Sequence, residues 1–144
     1  MQDIKLEEVL FFHIEKMMRS VKDHTLMVFK EHNFPVTKDQ WVILKRISDE
    51  DASTQKDIAA STFKDPAALT RILDLLEQKK LVKRQGSASD RRSFEISLTV
   101  DGRRLVNRMI PVVQKIRAKA MQGISKQEEK QAREIMSKMH LNFE

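Results

Sequence analysis

Asp65 followed directly by Pro66 constrains this 144-residue chain more than any other dipeptide in it. An aspartate at a helix cap accepts from the free N–H groups of the first turn. A proline at the first helical position loses no hydrogen bond and has its φ already set. A helix therefore begins at Pro66. Leu69, Ile72, Leu73, Leu76 and Leu81 give it one buried side, while Thr70, Arg71, Asp74, Gln78 and Lys79 fall mostly elsewhere. Just upstream, Thr54 is placed to cap a two-turn helix over "QKDIAAST", with Asp57 in its first turn. Two short helices joined by a tight turn, the second with an accessible N-terminus, form a helix-turn-helix.

A ribbon follows. In "LVKRQ" and "SFEISL", Phe94, Ile96 and Leu98 alternate with Glu95 and Ser97, the signature of strands with one buried face. The connection "GSASDRR" is too long for a two-residue hairpin turn, and a loop longer than its fold requires usually has a task. A helix-turn-helix followed by a two-stranded ribbon is a winged helix. In that geometry the second helix meets the major groove of DNA and the ribbon tip reaches a neighbouring minor groove. That groove is narrow in A·T-rich DNA, and its negative potential draws in arginine. Arg91 and Arg92 stand at this tip. Ser87, Ala88 and Ser89 are small enough for backbone to approach phosphate, and Asp90 is expected to pair with an arginine and shape the tip. Charge agrees with this placement. Residues 54–92 hold nine cations against five anions, so 9 − 5 = 4 of the net +6 lies in the middle of the chain, whereas residues 1–53 are net acidic. A basic centre fits a polyanionic partner.

The flanks read as helical. Residues 4–32 form one helix with Ile14, Met18, Val21, Thr25 and Val28 in a stripe, ended near Pro35. Thr37 and Gln40 form a capping box, and Val36 with Trp41 a hydrophobic staple, for a helix from Lys38 to about Ser48 with Trp41, Leu44 and Ile47 inside. "SDEDAST" reads as a polar loop. Thr99 caps a helix whose apolar side is Leu105, Met109, Val112, Val113, Ile116 and Ala120, in which Pro111 predicts a kink or an interruption. Gly123 ends it, and Ser125 with Glu128 caps a last helix through Ala132, Ile135, Met136 and Met139. The terminal stripes lie far from the compact middle, and a homodimer is the economical way to cover them. The fold class expected is mainly α (α+β). A single domain spans 1–144, with a winged helix-turn-helix lobe at 36–99 flanked by dimerisation helices at 1–35 and 100–144.

Other classes are poorly supported. With no cysteine there is no disulfide framework, zinc finger or thiolate nucleophile. Gly86, Gly102 and Gly123 make no phosphate-cradling spacing, and the four histidines are scattered. No nucleophile–base or metal constellation appears, so neither an enzyme, a metal nor a cofactor is expected. No stretch approaches the ~20 apolar residues of a membrane span. The opening "MQDIKLEEVLFFHIEKMM" is broken by charges and is not a signal peptide, so a cytoplasmic protein is expected.

"DPAALTRILDLLEQKKLVKR…SDRRSFEISLTVDGRRL" resembles the core of the MarR family, the multiple antibiotic resistance regulators. The Asp-x-Arg at 90–92, the Leu-Thr at 98–99 and Gly102 match that family's wing signature, and the terminal helices match in pattern. The resemblance implies a homodimer bound to a pseudo-palindromic duplex operator, usually as a repressor. It implies that Arg92 enters the minor groove with Arg91 beside it and that Arg71 reaches a base edge or phosphate. Pro66, Ala67, Ala68 and Thr70 would line the major-groove face, with Lys64 nearby, and Thr54 and Gln55 would contact the DNA backbone. It further implies a small aromatic effector between the dimer helices and the DNA-binding lobe, for which His13, Met17 and Trp41 are the candidates. The family's thiol-based peroxide sensing is excluded for this chain. Two departures stand out. Lys80 replaces the glycine many relatives carry at the end of the recognition helix, which requires a strained turn or a different helix exit. Ala67 and Ala68 offer no hydrogen bonds, only contact with thymine methyls, so a large share of shape readout is expected. Rival readings are an effector-independent architectural DNA binder and a winged helix used for protein or RNA contact.

Overall fold

The structure, a computed structural model, describes residues 1–86 and 94–144. Two compact units are present, Met1–Val112 and Val113–Glu144. In chain order the elements are a 3-10 turn (Leu6–Glu8), α1 (Leu10–Glu31), α2 (Lys38–Glu50), β1 (Ala52–Thr54), α3 (Gln55–Thr62), α4 (Pro66–Gln78), β2 (Val82–Gly86), β3 (Phe94–Leu98), α5 (Val100–Ala120) and α6 (Lys126–Leu141).

Local chemistry sets most helix starts as expected. Thr37 Oγ1 accepts from the Gln40 N–H at 3.2 Å while the Gln40 side chain accepts from the Thr37 N–H at 3.0 Å, and the staple residues Val36 and Trp41 are both buried. Asp65 accepts from the Ala68 N–H at 3.2 Å, with Pro66 opening α4. Around the sheet the core is drawn from Ile43, Leu44 and Ile47 of α2, Ile58 of α3, Leu69, Leu73 and Leu76 of α4, and Val106 and Met109 of α5, all with no exposed surface. Val82 and Ile96 join them from β2 and β3.

Four expectations are revised. "SDEDAST" is not wholly a loop: β1 pairs antiparallel with β3, Ala52 opposite Ser97 through Thr54 opposite Glu95, so the sheet has three strands in the order β1-β3-β2. No alternation marks so short a strand; β3 recruits it by offering an open edge. The first helix is split, because Val9 takes an extended conformation between the 3-10 turn and α1. Of the stripe expected on α1 only Thr25 is buried, joined by Phe29, while Met18 is exposed. The third revision has a plain cause: α1 meets α2 over a limited length, so much of the stripe is uncovered in this chain. Finally, α5 runs through Pro111 without interruption.

The second unit holds the end of α5, a turn at Gly123 with φ +79°, and α6. Ser125 and Glu128 close the expected capping box at 2.8 and 3.1 Å. Ile135, Met136, Leu141 and Phe143 are exposed. Among the described residues no helix is long and apolar enough to cross a membrane.

Candidate nucleic-acid interface

The helix-turn-helix is α3 and α4. Thr54 Oγ1 accepts from the Asp57 N–H at 3.1 Å and so starts α3. The turn passes through Phe63, left-handed at φ 56°. α4 then turns Leu69, Leu73 and Leu76 into the core and leaves Pro66, Ala67, Thr70 and Arg71 exposed, with Ala68 half-buried. An amphipathic helix seated by one side has to present the other to its surroundings. Here the presented side of the first two turns carries no acid.

Hydrogen bonds brace the two helices. Gln55 Nε2 donates to Thr70 Oγ1 at 2.8 Å, and Thr70 Oγ1 donates to the Pro66 carbonyl at 2.9 Å. Lys64, half-buried, pairs with Asp39 of α2 at 3.2 Å. Among the described residues Arg71 makes no hydrogen bond or ion pair, so its guanidinium is available. A groove of about 460 Å³ separates α3 from the start of α4, walled by Lys56 and Lys64 over Ala59, Ala60, Pro66 and Leu69. Lys56 is exposed beside it and was not singled out in the sequence; only its position on α3 reveals it.

The exit of α4 explains how a lysine stands where glycine is common. Lys80 is left-handed at φ 61°. Its N–H reaches the Glu77 carbonyl at 2.9 Å, and the Leu81 N–H reaches the Leu76 carbonyl at 2.9 Å, the two bonds of a Schellman cap. Of the two alternatives, the strained turn is the one adopted. Thr99 then ties this corner to α5. Its Oγ1 donates to the Lys80 carbonyl at 2.7 Å and accepts from the Gly102 N–H at 3.0 Å, and its N–H donates to the Leu81 carbonyl at 3.1 Å.

β2 and β3 are in register from Val82 opposite Leu98 to Gly86 opposite Phe94. Arg84 of β2 reaches back to α4, with Nη1 at 2.7 Å from Asp74 and 3.7 Å from Glu77. It neutralises two acids on that helix. The wing residues Ser87, Ser89, Asp90, Arg91 and Arg92 lie outside the described residues.

This architecture has clear relatives. The MarR family model matches residues 36–94, the segment from the start of α2 to the first residue of β3. Over that segment the chain matches the MarR family. Solved structures of similar fold include S. aureus MepR in complex with DNA, 23% identical with a TM-score of 0.83 over 93% of this chain and 98% of that one. A probable transcriptional regulator from Pseudomonas aeruginosa is 20% identical, with a TM-score of 0.81 over 94% and 99%. Bordetella bronchiseptica BpsR, whose DNA binding is regulated by 6-hydroxynicotinic acid, is 22% identical, with a TM-score of 0.78 over 96% and 98%. The chain thus has the MarR fold almost end to end.

The effector candidates occupy unlike places. Trp41 is buried in the core, 5% exposed. His13 is exposed, its Nε2 2.6 Å from the Glu7 carbonyl oxygen, and Met17 is exposed. None of the three lines the groove of about 600 Å³ at the α1–α2 corner, whose walls include Leu26, Phe29, Phe34 and Val36 with Lys22 and Lys38 at its edge. Phe34 is held there by an edge contact to Phe29, stacking on His32, and the Arg108 guanidinium 5.4 Å above its ring.

Proposed function

We propose that this protein is a MarR-type regulator, a site-specific duplex-DNA-binding homodimer that represses from a pseudo-palindromic operator. The observation that carries the reading is α4. It is packed on one side by Leu69, Leu73 and Leu76 and braced by Gln55, yet its first two turns present Pro66, Ala67, Thr70 and an available Arg71. Such a surface, rigid, exposed and cationic, is what a recognition helix requires. Pro66, Ala67, Ala68, Thr70 and Arg71 take the major groove, Thr54, Gln55 and Lys64 the flanking backbone, and Arg91 and Arg92 the minor groove. Exposed Leu10, Phe11, Met17, Met18, Leu26 and Met27 on α1 support the homodimer, since a monomer rarely leaves so much apolar surface uncovered. Lobe 36–99 then binds DNA while 1–35 and 100–144 dimerise.

Fluorescence anisotropy tests this with the duplex upstream of the protein's own gene against a scrambled duplex, at about 0.15 M salt. Site-specific regulators prefer their operator by roughly 10³-fold or more. A gap of that order, diminished by Arg71→Ala and by Arg92→Ala, supports the proposal. Equal, salt-sensitive binding to every duplex tried, including those enriched from a random pool, identifies an architectural protein instead.

Release by a small aromatic or phenolic effector is a second reading. It is favoured by the corner groove, whose volume suits a small ligand and whose apolar floor and lysine edge suit an aromatic acid. Because an effector acts only through its different affinity for the two states, the measurement is operator affinity with and without a panel of aromatic acids. An unchanged affinity across the panel removes this reading.

A further inference from the structure

α4 presents almost nothing that can form a hydrogen bond to a base. Thr70 is the one hydroxyl among its exposed leading residues; its single proton goes to the Pro66 carbonyl and one of its two lone pairs to Gln55. Thr70 therefore has no proton to give a base, and beside one remaining lone pair it offers its methyl group. Pro66 and Ala67, exposed, and Ala68, half-buried, are apolar. Lys64, just before the helix, is drawn to Asp39. The leading surface of α4 is therefore mostly methyl and methylene groups, with Arg71 as its available hydrogen-bond donor among the described residues.

In the major groove, thymine alone presents a methyl group, at C5; every other base edge there is a donor or acceptor that loses water without return against an apolar patch. We propose that the first two turns of α4 select thymine by its 5-methyl group, with Thr70, held by Gln55, as a specificity-determining residue. This rests on the DNA-binding reading above and adds which chemical group of the DNA is read and by what. The patch is rigid because the Gln55–Thr70–Pro66 chain of hydrogen bonds fixes the rotamer of this exposed threonine.

The test is carried out on the DNA, so the protein stays intact. A duplex is enriched from a randomised pool with the wild-type protein. Each T·A pair under α4 is then replaced, in both half-sites, by U·A, by 5-methylcytosine·G and by C·G. Burying one methyl changes an equilibrium by about fourfold, so removing it from both half-sites weakens binding by about tenfold or somewhat more. At the positions read this way, T·A and 5-methylcytosine·G bind alike, and U·A and C·G bind about tenfold more weakly. Thr70→Ser keeps the hydroxyl and deletes the methyl, and it abolishes the T-over-U preference at one position. If U·A equals T·A at every position under α4, thymine-methyl readout is wrong while DNA binding stands. If no duplex is enriched at all, the DNA-binding reading falls and this proposal with it.

Discussion

Gly102→Ala places a methyl group where the backbone of another element already is. A Cβ on Gly102 would lie 2.0 Å from the Leu81 carbonyl oxygen and 3.0 Å from its carbon. Ordinary contact begins at 3.4 Å, so relief requires a movement of 3.4 − 2.0 = 1.4 Å. Leu81 cannot provide it cheaply. It is buried, its carbonyl accepts from Thr99, and its N–H completes the cap of α4. The helix start of α5 must instead withdraw from the α4–β2 corner. Helix propensity favours alanine by about 1 kcal/mol, and overpacking against backbone costs more than its usual ~1–3 kcal/mol. The net expectation is a loss of about 3 kcal/mol, which for a chain of this size lowers Tm by about 10 °C. Gly86→Ala is the control, since nothing among the described residues lies within 4 Å of its added carbon. Thermal unfolding followed by circular dichroism, with urea titration alongside, compares the two. Equal Tm values for both variants would refute the close approach of α5 to the α4–β2 corner.

Lys80→Gly relieves a left-handed lysine; the steric gain of about 1–2 kcal/mol is partly offset by the freer unfolded chain, so urea unfolding should show a gain of about 0.5–1 kcal/mol, and any loss contradicts the Schellman geometry. Asp65→Ala removes the cap of α4 and is expected to cost about 1 kcal/mol in the same assay. Arg84→Met leaves Asp74 and Glu77 without their partner; a modest stability change of about 1 kcal/mol should accompany weaker binding to every duplex, and unchanged binding would mean those acids do not face the DNA. Arg71→Ala should weaken operator binding by roughly 1–3 kcal/mol if it reads a base, or reduce the salt slope by about one if it holds a phosphate.

Short-range chemistry made much of this molecule readable in advance. Asp65 with Pro66, Thr37 with Gln40, Thr54 with Asp57, and Ser125 with Glu128 each act within one helical turn, so their geometry follows from spacing alone. The burial of Leu69, Leu73 and Leu76 follows equally from the helical period, and with it the exposure of Ala67, Thr70 and Arg71. Even the awkward exit at Lys80 was visible as a side chain where left-handed backbone was needed.

Tertiary structure decided what depends on partners distant in sequence. β1 exists only because β3, more than forty residues later, pairs with it. The stripe on α1 predicted burial that the packing supplies in full at Thr25 alone, with Phe29 buried outside the stripe, because periodicity shows a face but not what covers it. The commitment of the Thr70 hydroxyl to Gln55, the capture of Lys64 by Asp39, and the hold of Arg84 on Asp74 and Glu77 leave Arg71 as the available cation on the leading turns of α4 among the described residues. Residue types gave the chain's chemistry; which of those groups remain available at the surface was settled by contacts that bring remote segments to within 3 Å of one another.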